Sequence, residues 1–144
     1  MTMSRRTDIA LARLVLRKQT RKPGTKAGKL PDFVIDQLGE AGVRNILALR
    51  GDPPQGQAHF EAPPGGLRHA SELVAFVRER GPFCVGAACY PETHPEAPDA
   101  ATDLRWLKHK VDAGVDFLIT QLFFDNGAYL AFVARAREAG ITVP

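Results

Sequence analysis

Cysteine is scarce in this chain, with two among 144 residues, and no apolar run is long enough to cross a bilayer. The first scarcity excludes a disulfide-stapled framework. Cys84 and Cys89 fall in one apolar run at an odd separation, so along a strand their side chains point to opposite faces and do not pair; two buried free thiols are expected. The second absence excludes a transmembrane helix. The N-terminus also lacks a signal-peptide apolar core followed by a small-residue cleavage site, so a cytoplasmic location is expected. Aromatic residues are absent from positions 1–30, although those positions hold nine Lys/Arg against one acid, Asp8. A basic arm can bind nucleic acid, but one without rings to stack on bases argues against that role. It reads better as a solvated extension over residues 1–29, poorly ordered, ahead of a net acidic domain over residues 30–144.

What is present is a globular composition, 44% hydrophobic and 24% charged, enough for one domain with a real core. Within it, elements alternate. Leu30, Val34, Leu38 and Ala41 recur at helical spacing after Pro31, with Gly42 placed to close the helix. The stretch 45–49 then reads as a buried strand that breaks off at Arg50-Gly51-Asp52-Pro53-Pro54, where proline cannot continue a ladder. Residues 53–68 contain four prolines and three glycines and form a long loop. Ser71 is positioned to cap a second helix with Leu73, Val74 and Val77 inward. The run 83–89 is a second strand and ends in a polar loop carrying Tyr90 and His94. A third helix has Leu104, Leu107 and Val111 on one stripe, and the third strand, 117–121, ends at Gln121. Asp125 or Asn126 caps a fourth helix with a stripe of Tyr129, Leu130 and Val133, and 141–143 starts a fourth strand.

Helix and strand alternating without hairpins predicts a parallel sheet, either doubly wound or a (βα)8 barrel. Three complete strands and the start of another fall short of a full barrel, which takes about 250 residues. In both architectures ligands bind at the C-terminal ends of the strands. Here those ends carry Arg50-Gly51-Asp52, then Tyr90 with His94, then Gln121, whereas the helix-to-strand connections 41–43, 80–82 and 113–115 are small and chemically quiet. That asymmetry predicts a functional face.

Four stretches carry a more specific signal. Ala48-Leu49-Arg50-Gly51-Asp52-Pro53-Pro54, Tyr90-Pro91-Glu92-Thr93-His94-Pro95-Glu96-Ala97, Leu107-Lys108-His109-Lys110-Val111-Asp112-Ala113-Gly114 and Ile119-Thr120-Gln121-Leu122-Phe123-Phe124-Asp125 resemble, in order and spacing, consecutive motifs of the methylenetetrahydrofolate reductase family. The likeness covers roughly residues 30–144. It implies a flavoprotein (βα)8 TIM barrel, present here as a partial barrel, that uses FAD and NAD(P)H to reduce 5,10-methylenetetrahydrofolate to 5-methyltetrahydrofolate. It further implies that Asp52 stabilises positive charge on the folate, an electrostatic catalytic role, and that Gln121 hydrogen-bonds the pterin. Arg50, Gly51, Asp52, Ala70, Tyr90, His94, Ala97, Asp103 and Lys110 would contact FAD, with Asp103 accepting from ribose hydroxyls and Lys110 meeting phosphate charge. No metal is called for.

Departures from the family accompany the matches. Where the family often carries a polar and a basic residue on the third helix, this chain has Trp106 and His109. Neither the first-strand glutamate that serves as general acid nor a His-Leu-Thr-type strand ahead of the first helix is found in the sequence. The expectation is the middle of a reductase barrel, left by truncation or a reading-frame change, with impaired activity. Such a piece exposes strand edges and would pair with a complementing chain or a second copy, or serve as a non-catalytic flavin- or partner-binding half-barrel.

Overall fold

The computed structural model describes residues 11–15, 30–51, 53, 55–56, 59–62 and 66–144, the backbone alone for 11–15 and 30–33. Four strands and four helices alternate: β1 (Leu11–Val15), α1 (Leu30–Glu40), β2 (Asn45–Leu49), α2 (Ala70–Arg78), β3 (Cys84–Cys89), α3 (Ala100–Asp112), β4 (Phe117–Thr120) and α4 (Asn126–Glu138). The strands make one parallel sheet in the order β1-β2-β3-β4, with no reversal of direction through the sheet. The strand-order switch that defines a doubly wound fold is therefore absent from this stretch.

β1 corrects the sequence reading, which placed all of 1–29 outside the sheet. Leu11 to Val15 pair with Asn45 to Leu49 in register. The strand escaped notice because five residues, one of them Arg13, are too few to declare a period among so many basic neighbours. The rest of the 1–29 segment lies outside the described residues. At the other end, 141–143 does not form the fourth strand expected of it. The segment nevertheless reaches the outer edge of β4, where the Leu118 N–H donates to the Pro144 carbonyl at 2.8 Å.

Packing explains the sheet's two faces. Ile46 and Ala48 of β2 and Val85 and Ala87 of β3 share one face and are fully buried against Ile35 of α1 and Leu73, Val74 and Val77 of α2. Burying each of the larger side chains stabilises the fold by about 1.5–3 kcal/mol. Cys89, one step on along the same face, joins a second cluster with Leu107, Phe132, Ala136 and Ile141. The opposite face is less covered: Leu47 and Leu49 are half-buried and Ile119 is exposed. On that face Gly86 lies under the Phe117 ring, which occupies the space a Cβ would need.

Some helix details also differ from expectation. In α1 the fully buried residue is Ile35, while Ala41 is exposed. The cap of α2 is His69, with Glu72 reaching back to accept from the Arg68 and His69 N–H groups at 2.5 and 3.3 Å, so Ser71 sits inside the helix. In α4 the inward residues are Phe132 and Ala136, and Leu130 is 65% exposed. Asp125 does cap α4, accepting from the Gly127 N–H at 2.7 Å, and Asp99 caps α3 through the Thr102 N–H. Both thiols are free as expected, but only Cys89 is buried and Cys84 is half-buried. Among the described residues no helix is long and apolar enough to cross a membrane.

Candidate active site

Parallel strands end on one side of the sheet, and there the loops after β2 and β3 meet. Arg50, the first residue past β2, forms a two-pronged ion pair with Glu96 from the loop after β3: Nη1 to Oε2 at 2.6 Å and Nη2 to Oε1 at 2.7 Å. Its guanidinium also lies 5.3 Å from the centre of the Phe60 ring, so one cation ties three loop segments together. The hydrogen bonds from Arg50 hold the Glu96 carboxyl below the ordinary carboxylate range. Gly51 follows at φ +84°, a conformation that glycine adopts without strain. Asp52 lies outside the described residues.

The loop after β3 is folded on itself by His94. Its N–H donates to Asp103 Oδ2 on α3 at 2.9 Å, its Nδ1 accepts from the Glu96 N–H at 3.1 Å, and its carbonyl accepts from the Ala97 N–H at 2.8 Å. With Nδ1 accepting, the neutral ring carries its proton on Nε2. Tyr90 meets the same ring edge-on, 4.5 Å between centroids. Lys110 comes up from α3 and donates from Nζ to the Ala88 carbonyl at 2.6 Å. Burial pushes its ammonium below the ordinary lysine value, against the pull of Cys89 and Asp103, and burial pushes the neighbouring Cys89 thiol up to about 11. A cation held this way gains from any anion brought next to it.

These groups surround a cleft of about 450 Å³. Of the residues that the resemblance names, Arg50, Ala70, Tyr90, His94, Asp103 and Lys110 line it. Gly51, Ala97 and Gln121 are not on its wall; Gln121 is exposed and its N–H extends the sheet by donating to the Cys89 carbonyl at 2.7 Å. Trp106 and His109, the two departures on α3, do face the cleft. Sequence reasoning assigned no site role to Glu96, Cys89, Phe132 or Arg135, which also line it. Glu96 stood in a motif already singled out, yet its partner is 46 residues away and no local pattern announces that pairing.

Comparison with known proteins finds similar sequences. The sequence model described as "Methylenetetrahydrofolate reductase" matches residues 29–144. "Methylenetetrahydrofolate reductase 2" of Saccharomyces cerevisiae is 40% identical over 117 residues, covering 78% of this chain and 20% of the yeast protein. "Probable methylenetetrahydrofolate reductase (NADH)" of Oryza sativa subsp. japonica is 44% identical over 124 residues, 78% of this chain and 21% of the rice protein. "5,10-methylenetetrahydrofolate reductase" of Escherichia coli K12 is 48% identical over 102 residues, 71% of this chain and 32% of the bacterial protein. The chain thus spans between about a fifth and a third of the length of these relatives.

Proposed function

The chain belongs to the methylenetetrahydrofolate reductase family, and on that premise we propose that it forms the FAD-holding part of a (βα)8 barrel that reduces 5,10-methylenetetrahydrofolate to 5-methyltetrahydrofolate with NAD(P)H. The observation that carries the reading is the convergence of Arg50, Ala70, Tyr90, His94, Asp103 and Lys110, distant in sequence, on one cleft at the strand ends. The sequential strand order supports the barrel.

The residues present fit FAD. Its pyrophosphate needs positive charge, which Lys110 supplies together with the N–H groups at the start of α2, where Ala70 and Ser71 stand on the cleft wall. Sugar hydroxyls need acceptors, and Asp103 offers a carboxylate oxygen beyond the one that His94 occupies. The rings need flat partners, and Tyr90 and His94 present a fixed aromatic corner. Bound FAD would supply hydride transfer between nicotinamide and folate. The chain's own residues bind and orient. The Glu96 carboxylate holds the Arg50 guanidinium on the cleft wall, in the residue before Gly51. Asp52 stabilises positive charge on the folate, and Gln121, at the end of β4, hydrogen-bonds the pterin from the neighbouring strand end.

A packing partner for the far side of the sheet belongs to the same proposal. Ile119 is 42% exposed, Leu122 75% and Phe124 91%, all on or just past the outermost strand β4. Such a surface suits further strands, whether from the same polypeptide, a complementing chain or a second copy. The cleft assignment is tested by titrating the purified protein with FAD and following flavin fluorescence. Saturable binding is expected, weakened about tenfold or more in Lys110→Met, where a buried charge-to-phosphate contact is lost, and unchanged in Arg44→Ala, an exposed residue at the opposite end of β2. Absent binding, or Lys110→Met binding like the wild type, overturns the assignment.

A further inference from the structure

Trp106 is the chain's one tryptophan, is 51% exposed, and packs into neither hydrophobic cluster. Isolated exposed apolar side chains are ordinary on protein surfaces. The position of this one is not, because it stands on the wall of the cleft. It follows Asp103 by three positions and precedes Lys110 by four, so the three residues form one stripe along α3. All three line the same cleft. The stripe therefore presents, in order, a carboxylate able to accept from sugar hydroxyls, a broad flat ring, and a buried cation. Arg135 and Phe132 of α4 also line the cleft.

We infer that Trp106 is the stacking platform for the purine ring of the nucleotide half of the ligand, and that it sets the affinity of this chain for adenine-containing flavin over flavin lacking the purine. The inference rests on the FAD reading of the cleft and adds to it a contact and a selectivity. A base whose ribose is held by Asp103 lies within one helical turn of the indole. Stacking on an indole needs no complementary hydrogen bonds, so it discriminates a ligand with a purine from one without it and not one purine from another. Because Trp106 is half exposed and outside the cores, the fold does not depend on it.

The single tryptophan makes the contact directly readable. ADP absorbs nothing in the range of tryptophan emission, so quenching by ADP reports proximity to the ring and not energy transfer to a flavin. Saturable quenching by ADP is expected. Equilibrium dialysis against FAD, read by flavin absorbance, is expected to show Trp106→Ala about 5- to 150-fold weaker, the range of base–aromatic stacking, and Trp106→Phe within a few-fold of wild type. FMN, which lacks the purine, is expected to bind both Trp106→Ala and wild type equally. Circular dichroism checks that both variants stay folded. FAD uptake with no ADP quenching and with Trp106→Ala binding like the wild type overturns this inference and leaves the flavin site standing. No FAD uptake by the wild-type chain overturns the site and the inference together.

Discussion

Arg78 is a residue outside the apolar cores whose loss would cost the fold. From the end of α2 it donates through Nε to the Gly114 carbonyl at 2.5 Å and through Nη1 to the Phe83 carbonyl at 2.7 Å, and it pairs through Nη2 with Asp116 Oδ2 at 2.5 Å. The same carboxylate oxygen accepts from the Val85 N–H at 2.7 Å. One guanidinium thus joins the connections that enter β3 and β4, at the end of the sheet opposite the cleft. Arg78→Ala leaves those part-buried carbonyls without their donor and is expected to destabilise by about 1–3 kcal/mol, read as a lower urea midpoint; an unchanged midpoint contradicts this. Glu96 provides a second test. Its carboxyl is held below the ordinary range, so the Arg50 pair contributes fully above the unfolded value of about 4.3 and is lost as pH falls through the lower folded value. Wild type is therefore expected to melt higher than Glu96→Gln near neutral pH, by no more than about 1 kcal/mol for so exposed a pair, with the gap closing in acid. A gap that persists or widens in acid has the wrong sign. Neither residue's role was legible in the sequence, since each is defined by partners that only the fold brings near.

Glycine and proline punctuation made the elements far more legible than the contacts. Gly42, expected to close a helix, adopts positive φ just past the end of α1, and Gly114 and Gly140 do the same past α3 and α4. The strand 45–49 falls where its apolar run put it, and Leu73, Val74 and Val77 are fully buried as their spacing required. The stripe on α4 was misjudged in part: Val133 packs against the second cluster beside Phe132 and Ala136, whereas Leu130 is exposed. The helix carries apolar residues on more than one side, and only packing shows which of them turn inward. Gly86 shows what a period cannot reveal: its partner in the ladder is Phe117, whose ring fills the site of a missing Cβ. Gly86→Ala is expected to cost about 1–3 kcal/mol by overpacking, seen as a lowered thermal midpoint. A neutral or stabilising result would mean that the Phe117 ring moves aside freely.

Taken as a whole, the described molecule has one face closed by helices and one less covered, with Leu122 and Phe124 projecting beyond β4. The 144-residue chain studied alone is expected to self-associate in sedimentation analysis, and the pair Leu122→Lys with Phe124→Lys to shift it toward monomer; identical sedimentation of the two proteins would count against an apolar contact there. The family motifs were legible because short, ordered stretches of sequence carry them, and six of the residues that the resemblance named share a cleft. The central claim is that this cleft holds FAD, and hydrogen–deuterium exchange with and without FAD tests it most directly. Protection is expected in the loop 90–97 and the first half of α3, with the loops around Arg78 and Gly114 unchanged. FAD binding that protects some other surface, or that leaves 90–97 and α3 exchanging as before, would contradict the account.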